Sequence, residues 1–220
     1  IEEPVYRKIV WRTVSIAALV TITDILLAFP IAFFMARVAN VRTKGLLVVA
    51  VLMPLWASYL VKVYSWRTMF AEDGIINWFL DPLGLSVPES GYIRVWIVMS
   101  YLWLPYMILP LYAGLERIPD SLLDASGDLG GRPWRTFRSV VLPMAMPAIV
   151  AGSIFTFSLT LGDYITPQLV SSTQFIGNVV YANVGIANNL PLASAFATVP
   201  IVIMVIYLLM ARRLGAFEAL

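Results

Sequence analysis

The chain has 220 residues, no cysteine and no histidine, and a net charge of +2. With 60% hydrophobic residues and a mean hydropathy of +0.83, it is too apolar for an ordinary soluble domain and reads as an integral membrane protein. Disulfides, thiol nucleophiles, imidazole acid–base chemistry and the usual zinc sites are excluded together, and the charge is too small to suggest a nucleic-acid partner.

The chain begins at Ile1 rather than Met, which reads as a trimmed start. The charges of "IEEPVYRK" precede a full-length apolar segment, which does not fit a cleavable signal peptide. A membrane-spanning helix needs about 20 mostly apolar residues. Five segments meet or approach this, at 14–36, 46–63, 95–115, 141–161 and 192–210. Helices are expected because lipid offers no partner to open backbone groups. Pro30, Pro54, Pro105, Pro110 and Pro147 fall in or near these spans and are expected to kink them.

The first span contains Asp24 on a stripe of small and polar residues, Thr13, Ala17, Thr21, Asp24 and Ala28, spaced as one helical face. Carboxylates inside spans are costly and point to function. Between the second and third spans lies a loop, 71–94, with a short helix expected near 75–80. The fourth span ends on a second polar stripe, Gly152, Thr156, Thr160 and Asp163. A polar loop, 163–191, separates it from the fifth span. Two acid-bearing stripes could line a cation path. Trp56, Tyr59, Trp103, Tyr106 and Tyr164 are available for cation–π contact, worth about 0.5–2 kcal/mol. The plainer alternatives are that Asp24 bonds a neighbouring helix, that Asp163 caps the loop after it, and that the aromatics are packing or interface residues.

Lys and Arg set the orientation. With the ending "ARRLGAFEAL" taken as cytoplasmic, the inside holds Arg37, Arg42, Lys44, Arg117, Arg132, Arg135, Arg138, Arg212 and Arg213, nine of the fifteen basic residues. Loops 71–94 and 163–191 are then external, and Trp11, Trp56, Trp66 and Trp96 fall near the outer interface.

The cytoplasmic side also receives a polar island, "IPDSLLDASGDLGGRPWRTFRSVVLP" (118–143). A short helix is expected over 121–129, capped by Asp120 or Ser121, with the capping-box pattern Ser121-Leu122-Leu123-Asp124 at its start. Gly130 and Gly131 end it, and Pro133 suits the first turn of the next helix. Asp124-Ala125-Ser126, three residues, Gly130, nine residues, Val140, one residue, Leu142-Pro143 reproduces the spacing of a cytoplasmic motif in permease subunits of bacterial ABC importers, E-A-A, three, G, nine, I, one, L-P. Asp, Ser and Val stand for Glu, Ala and Ile.

On this stretch the chain resembles that family. The resemblance implies an all-α type I permease core of five transmembrane helices, without the leading helix that often precedes it, forming one permease domain over 1–220. It implies that the loop 118–140 carries a coupling helix that docks on a cytoplasmic ATPase. Leu122, Leu123, Asp124, Ala125, Ser126, Asp128, Gly130, Leu142 and Pro143 would make or shape that contact. "LGDYITPQLVSSTQFIGNVV" (161–180) and the C-terminal ending look like the spermidine/putrescine branch. This suggests a polyamine substrate and a path through Asp24, Trp56, Tyr59, Thr156, Thr160, Asp163 and Tyr164. Implied partners are ATPase subunits, a second related permease, an external binding protein and the lipid bilayer of the bacterial inner membrane.

No G-x-x-x-x-G-K-[ST] occurs in the sequence, so the chain offers no phosphate loop of that type. It reads as non-enzymatic, with no cofactor of its own and with ATP–Mg on the partner. An importer for iron, an opine or a sugar, a secondary transporter, or a structural membrane subunit remain as alternatives.

Overall fold

A computed structural model of the chain describes residues 4–85 and 91–213. Among these residues it is wholly helical. α1 runs Pro4–Phe33 and continues as a π-helical segment, Phe34–Val38. The chain then turns at Ala39, and the Asn40 side chain accepts from the Thr43 amide at 2.9 Å to cap α2, Val41–Trp56. α3 is Tyr59–Met69 and α4 is Ile75–Leu80. α5 spans Gly91–Glu116, α6 Asp120–Asp128 and α7 Pro133–Thr136. A second π segment, Phe137–Val141, leads into α8, Leu142–Gly162. α9 (Ile165–Val170), α10 (Ile176–Gly185) and α11 (Leu190–Arg213) complete the chain.

Four stretches among the described residues are long and apolar enough to cross a membrane: Pro4–Val38, Gly91–Glu116, Pro133–Gly162 and Leu190–Arg213. The second expected span, 46–63, is broken rather than continuous, and it makes a fifth candidate if its two pieces are counted as one span. α2 and α3 meet at 89°, because Ala57 and Ser58 both adopt extended backbone (ψ 141° and 133°). The polar stretch 163–191 is not an open loop, since it contains α9 and α10. The expected helix at 75–80 is present as α4. The Glu2 and Glu3 charges, residues 86–90 and the ending 214–220 lie outside the described residues.

α1, α5 and α8 form the core. α1 and α5 run parallel: the Ser15 and Tyr92 hydroxyls bond at 2.8 Å near their starts, and Arg37 reaches the Leu115 carbonyl at 2.6 Å near their ends. α8 runs antiparallel to both, with Ala17 beside Phe157 and Leu161 at one end and Ala28 beside Ala145 at the other. The close approach of α5 and α8 depends on missing side chains. A Cβ at Gly114 would overlap that of Ala148, and one at Gly152 would come within 2.7 Å of Met107 Sδ. Small residues at such seams let membrane helices gain dispersion contact where lipid gives no hydrophobic drive. α11 packs on this core through Tyr207, which stacks on Phe157 at 4.6 Å and donates to Ser153 Oγ at 2.8 Å. Its Val202, Val205, Ile206 and Leu209 remain exposed.

The bundle therefore has two distinct ends. At one, α1 begins beside α10, where Thr13 Oγ1 accepts from the Ile176 amide at 3.0 Å. At the other, α1 ends beside α6, where Arg37 pairs with Asp120 at 2.6 Å.

Candidate functional site

The α10 end carries a cleft of about 410 Å³ between α3, α5, α8 and the start of α9. Tyr59, Trp103, Ser158, Gly162, Asp163 and Tyr164 are among its lining residues. Asp163 holds the site together. α8 stops there because Asp163 leaves helical geometry (ψ 121°). Its carboxylate then caps the next helix: Oδ1 accepts from the amides of Ile165 and Thr166 at 2.9 and 3.1 Å. Thr166 Oγ1 donates to Oδ2 at 2.6 Å, and the Tyr59 hydroxyl lies 2.7 Å from both carboxylate oxygens. Tyr59 stands at the first position of α3, so the break after α2 is what aims it at the acid.

Aromatic faces surround this anchored charge. Trp103 stacks on Tyr59 with centroids 6.0 Å apart and planes 14° from parallel. Tyr164 stacks on Tyr181 at 4.9 Å. A fixed carboxylate with flanking π faces attracts an organic cation twice, by charge and by ring quadrupole.

Of the expected path residues, Tyr59, Asp163 and Tyr164 come together here. Asp24, Thr156 and Thr160 are placed elsewhere. They are fully buried in the seam of α1, α5 and α8, where Thr156 donates to Thr21 Oγ1 at 3.4 Å and Thr160 to the Thr156 carbonyl at 2.7 Å. Asp24 lines none of this cleft, and neither of its oxygens has a hydrogen-bond partner among the described residues. Trp56, 79% exposed, lies at the end of α2 and does not line the cleft either. Sequence reading gave no reason to single out Ser158, Gly162 or Thr166. The Asp163-Tyr164-Ile165-Thr166 spacing, an acid three residues before a hydroxyl, was the available signal for a capped short helix.

At the opposite end, α6 presents a second surface. It starts at Asp120, one residue earlier than expected, and its N-cap position is Pro119 with no side-chain cap, so the Ser121–Asp124 box does not form. Its end is as expected. Gly130 sits in the left-handed region (φ +74°), and the Gly131 amide donates to the Ser126 carbonyl at 2.8 Å. Ser126 Oγ bonds Thr136 Oγ1 at 2.8 Å, folding α7 back against α6. Asp120, Asp124 and Asp128 recur every fourth residue and are exposed, as is Ala125. Leu129 is 88% exposed and Leu122 42%. Leu123 instead packs inward against the cluster of Met35, Leu115 and Ile118. A groove of about 320 Å³ lies beside Leu122, Ala125, Ser126, Leu129, Arg135 and Val140. Leu142 and Pro143 open α8 directly behind the second π segment.

Residues 14–217 match the family of "Binding-protein-dependent transport system inner membrane component" proteins. The chain belongs to this family. It is a multi-pass permease subunit of an ABC importer, and permeases of this kind are the non-catalytic membrane components of systems that also include an ATPase and a binding protein. Among relatives, the permease is 48% identical to "Inner membrane ABC transporter permease protein YdcU" of Escherichia coli K12, over 99% of this chain and 74% of that one. It is 33% identical to "Spermidine/putrescine transport system permease protein PotB" of Haemophilus influenzae, over 87% of this chain and 69% of that one.

Solved structures share the permease fold at low identity. A bacterial ABC transporter for the import of alginate superposes with a TM-score of 0.75 at 16% identity, covering 96% of this chain and 80% of that one. The MetNI methionine ABC transporter does so with a TM-score of 0.68 at 16% identity, covering both chains completely.

Proposed function

We propose that this permease conducts a polyamine or a related organic polycation. The observation that carries the reading is the cleft in which Asp163, Tyr59, Trp103 and Tyr164 meet. A polyamine alternates ammonium groups with methylenes, so an anchored carboxylate beside aromatic faces matches both parts of it. The PotB relatives, named for spermidine and putrescine, support the same substrate class.

The α6 end is the cytoplasmic end in this reading, and α6 is the coupling helix. Leu122 and Leu129 are apolar side chains exposed among charged ones, which in this reading marks a protein contact. The contact is the ATPase, which binds ATP and magnesium. A second, related permease completes the membrane unit, and the external binding protein delivers substrate at the α9–α10 end.

The test is uptake by the whole complex in vesicles, comparing spermidine and putrescine with iron, opines and sugars, in wild type and Asp163→Asn. Asparagine keeps an oxygen for the α9 amides but loses the charge. Removing a charged partner of about 1–3 kcal/mol should slow polyamine uptake roughly fivefold to a hundredfold, with complex assembly unchanged. Failure of wild type to take up polyamines would refute the substrate class. Unchanged uptake by Asp163→Asn would leave the acid a loop anchor only.

A further inference from the structure

The segment that joins α5 to α6 is held by one side chain from a different helix. Arg37 lies in the π segment at the end of α1, and its side chain is 13% exposed. Its Nη1 donates to Asp120 Oδ1 at 2.6 Å, on the first residue of α6. Its Nη2 donates to the Leu115 carbonyl at 2.6 Å, in the last turn of α5, and to the Ile118 carbonyl in the connector. One planar guanidinium thus spans the end of α5, the connector and the start of α6. Two of the three acceptors are carbonyls beyond the reach of α5's own amides, groups that a cation at a helix C-terminus satisfies well. The fixed fork of arginine suits three acceptors in different directions, whereas lysine offers a point charge on a loose stem.

The packing beneath follows the same line. Met35 of the π segment, Leu115, Ile118, Val141 and Leu123 of α6 share one apolar cluster. A nearby link, Lys44 to Glu116 at 2.7 Å, ties α2 to α5 rather than to α6. π segments are local departures from α-helical pairing, and here they occur where α1 and α8 approach α6.

We propose that Arg37 is the positioning residue that fastens α6 to the membrane-spanning core, so that displacement of α6 reaches α1 and α5 together. The proposal rests on α6 being the ATPase contact. It assigns to Arg37 the step that converts movement at that contact into movement of α1 and α5, the second of which lines the substrate cleft.

The experiment uses the complete complex with its ATPase, second permease and binding protein in proteoliposomes. The readout is the ratio of binding-protein-stimulated to basal ATP hydrolysis, alongside the amount of ATPase that co-purifies. Arg37→Ala should keep the ATPase bound while the ratio falls at least fivefold. Arg37→Lys, which keeps charge and stem, should fall about two- to threefold. Asp120→Asn, which spares the carbonyl contacts, should fall less than Arg37→Ala. If Arg37→Ala fails to assemble, Arg37→Lys decides: a reduced ratio upholds the proposal and a wild-type ratio overturns it. Equal loss of basal and stimulated hydrolysis, leaving the ratio unchanged, also overturns it. Leu129→Asp separates the underlying reading: if the ATPase still co-purifies and responds, α6 is not its contact, whatever Arg37 does.

Discussion

Asp24 and Asp163 are both acids carried by apolar helices, and their surroundings are opposite. Asp163 accepts from two amides, a threonine and a tyrosine. Asp24 is wholly buried with both oxygens unpartnered among the described residues. A carboxylate in mid-span costs about 2.5–3.5 kcal/mol on insertion scales, and nothing around Asp24 offsets that. Asp24→Asn replaces the acid with a neutral group of the same shape. It should therefore raise the thermal midpoint of the purified complex in detergent, read by intrinsic fluorescence. A fall of several degrees would mean that an assembled partner holds this carboxylate. Both acids stood out in the sequence, because a charge in an apolar run is visible there. What each one touches was not, because Tyr59 lies 104 residues from Asp163 and reaches it only after the chain breaks beyond α2.

At the level of elements, α6 owes its shape to glycine chemistry that the sequence displays openly. Gly130 takes φ +74°, a region where a β-branched side chain costs about 1–2 kcal/mol. Gly130→Val should disorder the end of α6, and with it Leu129, while leaving the membrane helices inserted. Binding-protein-stimulated ATP hydrolysis in the reconstituted complex should drop severalfold; normal stimulation would show that the left-handed turn is dispensable. Gly130 and Pro133 could be read in advance because each has a strong intrinsic backbone preference. The start of α6 could not, since Ser121 and Asp124 match a capping pattern that Pro119 supersedes. The break between α2 and α3 was equally hidden: Pro54 was the visible breaker, yet it sits inside α2 and the chain bends at Ala57 and Ser58. α9 and α10 were missed because six and ten residues are too few for periodicity to register amid Ser, Asn and Gly. Arg37 carried only a sidedness signal, because its acceptors are two backbone carbonyls and an acid some 80 residues away.

The whole molecule places a polar docking surface at one end and a cation-suited cleft at the other, joined by three packed helices. That arrangement predicts opposite exposure of Ser126 on α6 and Ser172 after α9. The chain has no native cysteine, so a single introduced thiol reports cleanly. A cysteine at Ser126 should react with an impermeant reagent only from the ATPase side, and one at Ser172 only from the binding-protein side. Reaction of both from one face would overturn the single crossing by α8 that separates them. The sharp corner after Trp56 has a further consequence, one that concerns the lipid. Of the two arms that meet there, α2 has 16 residues, or about 24 Å at 1.5 Å per residue. The oily interior of a bilayer is about 30 Å thick. α2 alone therefore falls about 6 Å short of a crossing, and the pair completes one only with α3, set at 89° to it. The two flanks thus differ in kind: the 30-residue α1 is long enough to cross unaided, and the 16-residue α2 is not.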